Sequence, residues 1–163
     1  MFLIQRSFPG SWTLRMTSQI FIDTNIPIYV AGAAHPLRAP STKVMNLVAA
    51  APSRFFTDAE VLQELLHRYH SVRRWALGKI ALTVFLSAMR VRIEPMLYSD
   101  VERAAALADE HPSLSARDLV HLAIMLRVGS TYIVTADQRF DEVTDIERLD
   151  PILVDEWAAS VAP

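Results

Sequence analysis

Hydrophobic positions along this chain follow two rhythms: short β-prone runs alternate with longer stretches whose apolar residues recur every three or four positions. Gln19 to Asp23 is the first β-prone run and ends in a carboxylate. After Thr24-Asn25, an apolar segment with Pro27 near its first turn predicts a helix. Pro36 and Pro40 punctuate the next stretch, and Ser41 to Ala51 predicts a second helix stopped by Pro52. Arg54 to Thr57 predicts the second strand. Thr57-Asp58 then supplies N-cap chemistry for a helix whose Val61, Leu62, Leu65, Leu66 and Tyr69 form one apolar face. A further helix fills Ser71 to Met89.

Val91 to Ile93 predicts a third strand closed by Glu94-Pro95, and Ser99-Asp100 caps an alanine-rich helix ending at His111-Pro112. Ser115 to Arg127 is apolar nearly all round, which predicts a central, buried helix, and Gly129 ends it. Thr131 to Thr135 is the strongest strand, with Asp137 two residues beyond it. A weak strand around Ile146 to Leu149 and a helical stretch near Val154 to Ala159 complete the pattern. Strands alternating with helices imply an α/β fold whose mostly parallel sheet is covered on both faces. Ligands of such sheets bind at the carboxyl ends of the strands, where Asp23 and Asp137 both stand.

At 163 residues the chain has the length of one domain, and a composition 52% hydrophobic and 21% charged builds a sizeable core. Having no cysteine, it excludes a disulfide framework, a cysteine zinc site and a thiol nucleophile, and it suits the reducing cytoplasm. No apolar run approaches the ~18–20 residues of a membrane span, so a soluble chain with no membrane association is expected. Residues 1–15 lack the apolar core and cleavage site of a secretory signal. They read either as a loose arm or as an extension ahead of a downstream start, leaving 16–163 as one domain.

Charge is uneven along the chain. From His67 to Arg92 stand Arg68, Arg73, Arg74, Lys79, Arg90 and Arg92 with no acid, whereas Asp137 to Glu156 holds eight acids against Arg139 and Arg148. Two solvated helix faces explain this, as does a phosphate-binding flank beside an acidic pocket.

Four acids stand out: Asp23, Glu64, Asp118 and Asp137. Each has an ordinary structural reading. Asp23 is placed to cap the helix that follows, Ser115-x-x-Asp118 is a variant capping box, and Glu64 precedes Arg68 by four residues in the favourable order for a helix ion pair. As a set they say more, because carboxylates converging at one sheet edge repel unless a cation or protons intervene. Oxygen ligands without cysteine favour Mg²⁺ or Mn²⁺, a choice that suits phosphodiester hydrolysis by metal-activated water.

In order along the chain, Ile20-Phe21-Ile22-Asp23-Thr24-Asn25, Val61-Leu62-Gln63-Glu64-Leu65, the segment Ser115 to Ala123 around Asp118, and Ile133 to Asp141 around Asp137 resemble the motifs of PIN-domain ribonucleases, in particular the VapC-like toxins of toxin–antitoxin pairs. The resemblance spans roughly Gln19 to Leu153. It implies a PIN-like three-layer α/β/α fold with a mostly parallel sheet. It also implies a Mg²⁺- or Mn²⁺-dependent endoribonuclease that leaves a 5′-phosphate and a 3′-hydroxyl, with Asp23, Glu64, Asp118 and Asp137 holding one or two ions.

By the same resemblance Asn25 and Thr135 orient Asp23 and Asp137 through hydrogen bonds, while ordinary turn chemistry is their other reading. The family often places another acid where this chain has Arg139, so either Asp141 supplies a further ligand or the site holds one metal with fewer acids. Glu60, one turn before Glu64, is the rival helix glutamate. The implied partners are an RNA substrate, a second copy of the chain in a homodimer, and a small antitoxin whose C-terminal segment crosses the acidic pocket. Arg68, Arg73 and Arg74 are the candidate RNA-binding residues. If the acids repel in a metal-free site, neutralising Asp23, Asp118 or Asp137 leaves the fold intact or steadier.

Other classes fit less well. Four glycines and no glycine-rich phosphate loop argue against nucleotide-cofactor folds, and a phospho-accepting receiver domain lacks its strand-end lysine. His67 and His70 lack an accompanying zinc pattern, His121 reads as a packed helix histidine, and Tyr69 and Trp75 read as apolar packing or a dimer contact. A non-catalytic PIN-like binding protein and a structure-specific DNA nuclease are the alternatives to an RNA-cleaving enzyme.

Overall fold

Strands of three residues suffice at the centre of this fold because both faces of the sheet are covered. In β1 (Ile20–Ile22) and β4 (Tyr132–Val134), Ile20, Phe21, Ile22, Ile133 and Val134 are all fully buried and Tyr132 is half-buried, as expected of parallel strands between two layers of helices. The structure, a computed structural model, describes residues 19–89 and 92–160, so the arm read in residues 1–15 lies outside the described residues. β2 (Phe55–Asp58), β3 (Ile93–Glu94) and β5 (Glu147–Leu149) complete a five-stranded sheet of order β3-β2-β1-β4-β5, with every neighbouring pair parallel.

The order of the strands fixes the layers. From β1 to β2 to β3 the chain steps one way, and right-handed crossovers then place α1 (Asn25–Ala31), α2 (Arg38–Ala50), α3 (Ala59–Ser71) and α4 (Trp75–Met89) over one face. The return from β3 to β4 puts α5 (Tyr98–Leu107) and α6 (Ala116–Val128) over the other. Packing follows this scheme, with α1 on α2, α3 on α4 and α5 on α6. The two winding directions part between β1 and β4, and a crevice therefore opens at their carboxyl ends.

Several boundaries differ from the sequence expectation for local reasons. α2 begins at Arg38 rather than Ser41, because Pro40 falls in the first turn, where no amide donor is required. α4 begins at Trp75 rather than Ser71, after a turn in which Arg73 adopts a φ of 56°. α5 starts at Tyr98, with Asp100 in its first turn accepting from the Leu97 amide at 2.8 Å, and ends at Leu107, ahead of His111. The third strand lies at Ile93–Glu94, and Val91 is outside the described residues. The helical stretch expected over 154–159 is α7 (Val154–Trp157).

Two glycines are required by geometry. Gly129 closes α6 in the left-handed region at φ 74°, as its position after the apolar stretch predicts. Gly78 lets α4 lie against α3, since a Cβ there would stand 2.3 Å from the Tyr69 Cβ. Among the described residues, no helix is long and apolar enough to cross a membrane.

Candidate active site at the carboxyl edge of the sheet

β1 ends one residue before Asp23, and the backbone there is held to β4 by the Asp23 amide bonding to the Val134 carbonyl at 3.2 Å. Asp23 is 6% exposed, and its carboxylate does not cap α1. Instead Oδ1 accepts from the Thr24 amide at 2.6 Å, and Oδ2 accepts from Asn25 Nδ2 and from the Thr135 hydroxyl. Asn25 also donates to Thr135 Oγ1 at 2.7 Å, and its Oδ1 accepts from the Ala136 amide at 3.3 Å. Asn25 and Thr135 therefore orient Asp23 directly, and Thr135 accepts from the Asp137 amide at 3.0 Å.

Glu64 reaches the same crevice from α3. Its Oε2 accepts from Thr24 Oγ1 at 2.8 Å and its Oε1 from Arg117 Nη1 at 3.2 Å, so its cationic partner is on α6 rather than Arg68 one turn along its own helix. Glu60 meets Arg117 Nε at 3.7 Å but does not line the crevice. Asp118 keeps its capping-box role, accepting from the Ser115 amide at 2.9 Å while Ser115 Oγ accepts from its amide, and it also meets Arg139 Nη2 at 3.2 Å. Asp137 caps the short 3-10 turn Gln138–Glu142 and is gripped by Arg139. Asp23, Glu64, Asp118 and Asp137 thus line one cleft of about 320 Å³, together with Arg68, Arg117 and Arg139.

The other predicted positions fall elsewhere. Asp141 is outside the cleft, with both its oxygens taken by Arg148 at 2.8 and 3.1 Å. Arg73 and Arg74 are exposed at the α3–α4 turn and do not line the cleft. His67 and His70 are exposed, whereas His121 is fully buried, as its packed reading predicts.

Electrostatics separate the acids. Burial pushes the Asp23 carboxyl up to about 6, against the pull of His121 and the Thr135 hydrogen bond, and the charge of Asp118 adds to the rise. Asp137 is held below the ordinary carboxylate range by its hydrogen bonds from Arg139, against partial burial. Behind the cleft His121 Nδ1 lies 2.7 Å from Asp58 Oδ2, both groups buried. Burial alone would lower that imidazole, but the Asp58 charge and hydrogen bond, with Asp23 and Asp118 beyond, raise it to about 9. Among the described residues, no three His, Asp or Glu side chains are close enough to grip one ion as they stand. Each of three cleft acids is instead paired with an arginine: Glu64 with Arg117, and Asp118 and Asp137 with Arg139. Cations do intervene between the converging acids, and in this structure they are arginines.

Sequence reasoning did not single out Thr24, Arg117 or the Asp58–His121 pair. Only Asp58 left a signal, an acid ending β2 as Asp23 follows β1, and its N-cap role, seen here in the 2.8 Å bond from the Val61 amide, accounts for that position by itself.

The sheet is five-stranded and all-parallel, lies between helices, and carries acids from four chain segments at its switch point. Residues 20–146 match the PIN domain family, and the chain belongs to it. It is 41% identical over 118 residues to Ribonuclease VapC23 of Mycobacterium tuberculosis, covering 72% of this chain and 92% of that protein. It is 34% identical over 130 residues to Ribonuclease VapC13 of the same organism, covering 80% and 98%. A toxin–antitoxin complex from Klebsiella pneumoniae shares the fold at a TM-score of 0.58 and 19% identity, covering 82% of this chain and 98% of that one.

Proposed function

We propose that the protein is a divalent-metal-dependent endoribonuclease acting in the cytoplasm as the toxin of a toxin–antitoxin pair. The reading is supported by one observation above all: in a PIN-domain chain related to VapC ribonucleases, acids from four separate segments face a single cleft. Their chemistry fits a hard cation, being all oxygen, and Asp23 in particular is a buried carboxylate whose burial disfavours its unpaired charge and which a cation would relieve. Asp23, Glu64 and Asp118 would hold the ion, with Asp137 directly or through water. A bound Mg²⁺ or Mn²⁺ supplies hydroxide from water near neutral pH and offsets charge on the phosphate.

The chain's own residues do the rest. Asn25 and Thr135 hold Asp23 in place, and Thr24 holds Glu64. Arg68, exposed at the cleft, meets the RNA backbone. A second copy of the chain forms a homodimer. The C-terminal segment of a small antitoxin crosses the acidic cleft.

End-labelled RNA and matched single- and double-stranded DNA, incubated with purified protein in Mg²⁺, Mn²⁺ or EDTA, test this. RNA should be cut to 5′-phosphate products with either metal, and neither EDTA nor Asp118→Asn should allow cutting. RNA binding without cleavage would instead identify a non-catalytic binding protein, and preferential cutting of structured DNA a DNA nuclease.

A further inference from the structure

The Arg139 guanidinium occupies a defined place among the cleft acids. Its Nε lies 3.0 Å from both oxygens of Asp137, and its Nη2 joins Asp137 Oδ2 to Asp118 Oδ2, the latter at 3.2 Å. Its Nη1 donates to the Ser113 carbonyl at 3.2 Å, which fixes the plane of the group against the segment leading into α6. Two carboxylates from different elements, one after β4 and one in the first turn of α6, therefore share one fixed cation that is charged at any accessible pH.

The remaining charges are distributed unequally. Arg117 compensates Glu64 at 3.2 Å, while Asp23, the most buried acid of the cleft, has no arginine within ion-pair reach among the described residues. Arginine charge is thus supplied on the Asp137 side at ion-pair distance, whereas Asp23 faces only the buried His121 behind the cleft and the more distant Arg139. Nearly half of the Arg139 side chain is exposed and it lines the cleft, and Nη1 retains a second N–H beyond the one given to Ser113.

We propose that Arg139 is a built-in second cation of this centre. It holds Asp137 and one oxygen of Asp118, confines the cleft to a single divalent ion on the Asp23–Glu64 side, and turns its free N–H edge to a substrate phosphate. This rests on the metal-dependent nuclease reading and specifies how that site is charged.

Mn²⁺ titration of the full-length protein, followed by the electron paramagnetic resonance of free Mn²⁺, tests it without reference to turnover. The parent should bind one Mn²⁺ per chain. Arg139→Ala should bind a second ion, or the first at least about tenfold more tightly, because a competing charge has been removed. Arg139→Gln, which keeps a donor for Asp137 and Ser113 and so protects the fold, should do the same. RNA affinity, measured in Ca²⁺ to suppress cutting, should fall about tenfold in both variants. A parent that cuts RNA and binds two ions overturns the role of Arg139 alone, as do neutral variants with the parent's stoichiometry and affinity. A parent that binds no Mn²⁺ and cuts no RNA overturns the nuclease reading and this proposal with it.

Discussion

The Thr135 hydroxyl donates to Asp23 Oδ2 at 2.6 Å while accepting from Asn25 Nδ2 and the Asp137 amide, so its one proton and both lone pairs are used. A single buried oxygen thereby ties the end of β1 to the end of β4. Asp23 and Asp137 are held in mutual register before any ligand arrives.

Thr135→Val keeps the shape and removes the oxygen. It leaves the Asn25 amide and the Asp137 N–H each short of a partner, and it should destabilise the protein by about 1–3 kcal/mol in urea unfolding. The Asp23 carboxyl should rise further, since the hydrogen bond that lowers it is gone. Thr135→Ser should recover most of the stability. A valine variant as stable as the parent would show that the hydroxyl is not what joins the strands.

The metal-free protein should grow more stable as pH falls from 9 to about 4. His121, raised in the fold to about 9, contributes stability that is complete below its unfolded value of about 6.5 and lost as pH rises through 9. Asp23, raised to about 6, binds its proton more tightly folded than unfolded, so stability falls as pH rises from about 4 to 6, by about 3 kcal/mol at most. Melting temperatures in EDTA across this range check both steps. Asp23→Asn should flatten the lower step and His121→Gln the upper one, whereas a flat parent profile would contradict both shifts.

Much of the site could be read from the order of residue types. An acid just past a short apolar triplet is a sequence feature, and the parallel sheet that follows from strand–helix alternation brings Asp23 and Asp137 together without further information. Partners on other elements left no such trace. Glu64 and Arg68 have the spacing of a helix pair, yet Glu64 bonds to Arg117, because the crevice draws the glutamate away from its own helix surface toward α6. Likewise Asp58 reads as an N-cap, which it is, and only the packing of α6 against the sheet shows its second oxygen 2.7 Å from His121. Element ends shifted where local geometry overrode pattern, as at Pro40 and Arg73.

Neutralising the cleft acids one at a time should give opposite signs, not the uniform relief expected when they are considered only as mutually repelling charges. Asp23 is raised and Asp137 lowered, so their charges respectively oppose and support the metal-free fold near neutral pH. In EDTA at pH 7, Asp23→Asn should melt no lower than the parent. Asp137→Asn should be destabilised by up to about 1 kcal/mol, the scale of a part-exposed ion pair. Added Mn²⁺ should raise the parent's melting temperature more than that of Asp23→Asn, because the ion stabilises the folded state it binds. Equal shifts in the two proteins would remove Asp23 from the ligand set.

The basic flank divides in the same way by position. Arg68 lines the cleft, whereas Arg73 and Arg74 are exposed at the α3–α4 turn. Each phosphate neutralised on a single strand contributes about 0.7 to the slope of log affinity against log salt. Arg68→Ala should therefore lower that slope by roughly this amount for a short RNA spanning only the cleft, and Arg73→Ala with Arg74→Ala should leave it unchanged. A longer RNA that runs along α3 should register all three. Arg73 carries a further consequence, because its φ of 56° is a conformation glycine adopts without strain. Arg73→Gly should be no less stable than Arg73→Ala in urea unfolding, which allows the charge to be removed without disturbing the turn. If the short RNA responds to Arg73 and Arg74 as strongly as to Arg68, the backbone path crosses the α3–α4 turn and the cleft is not its sole anchor.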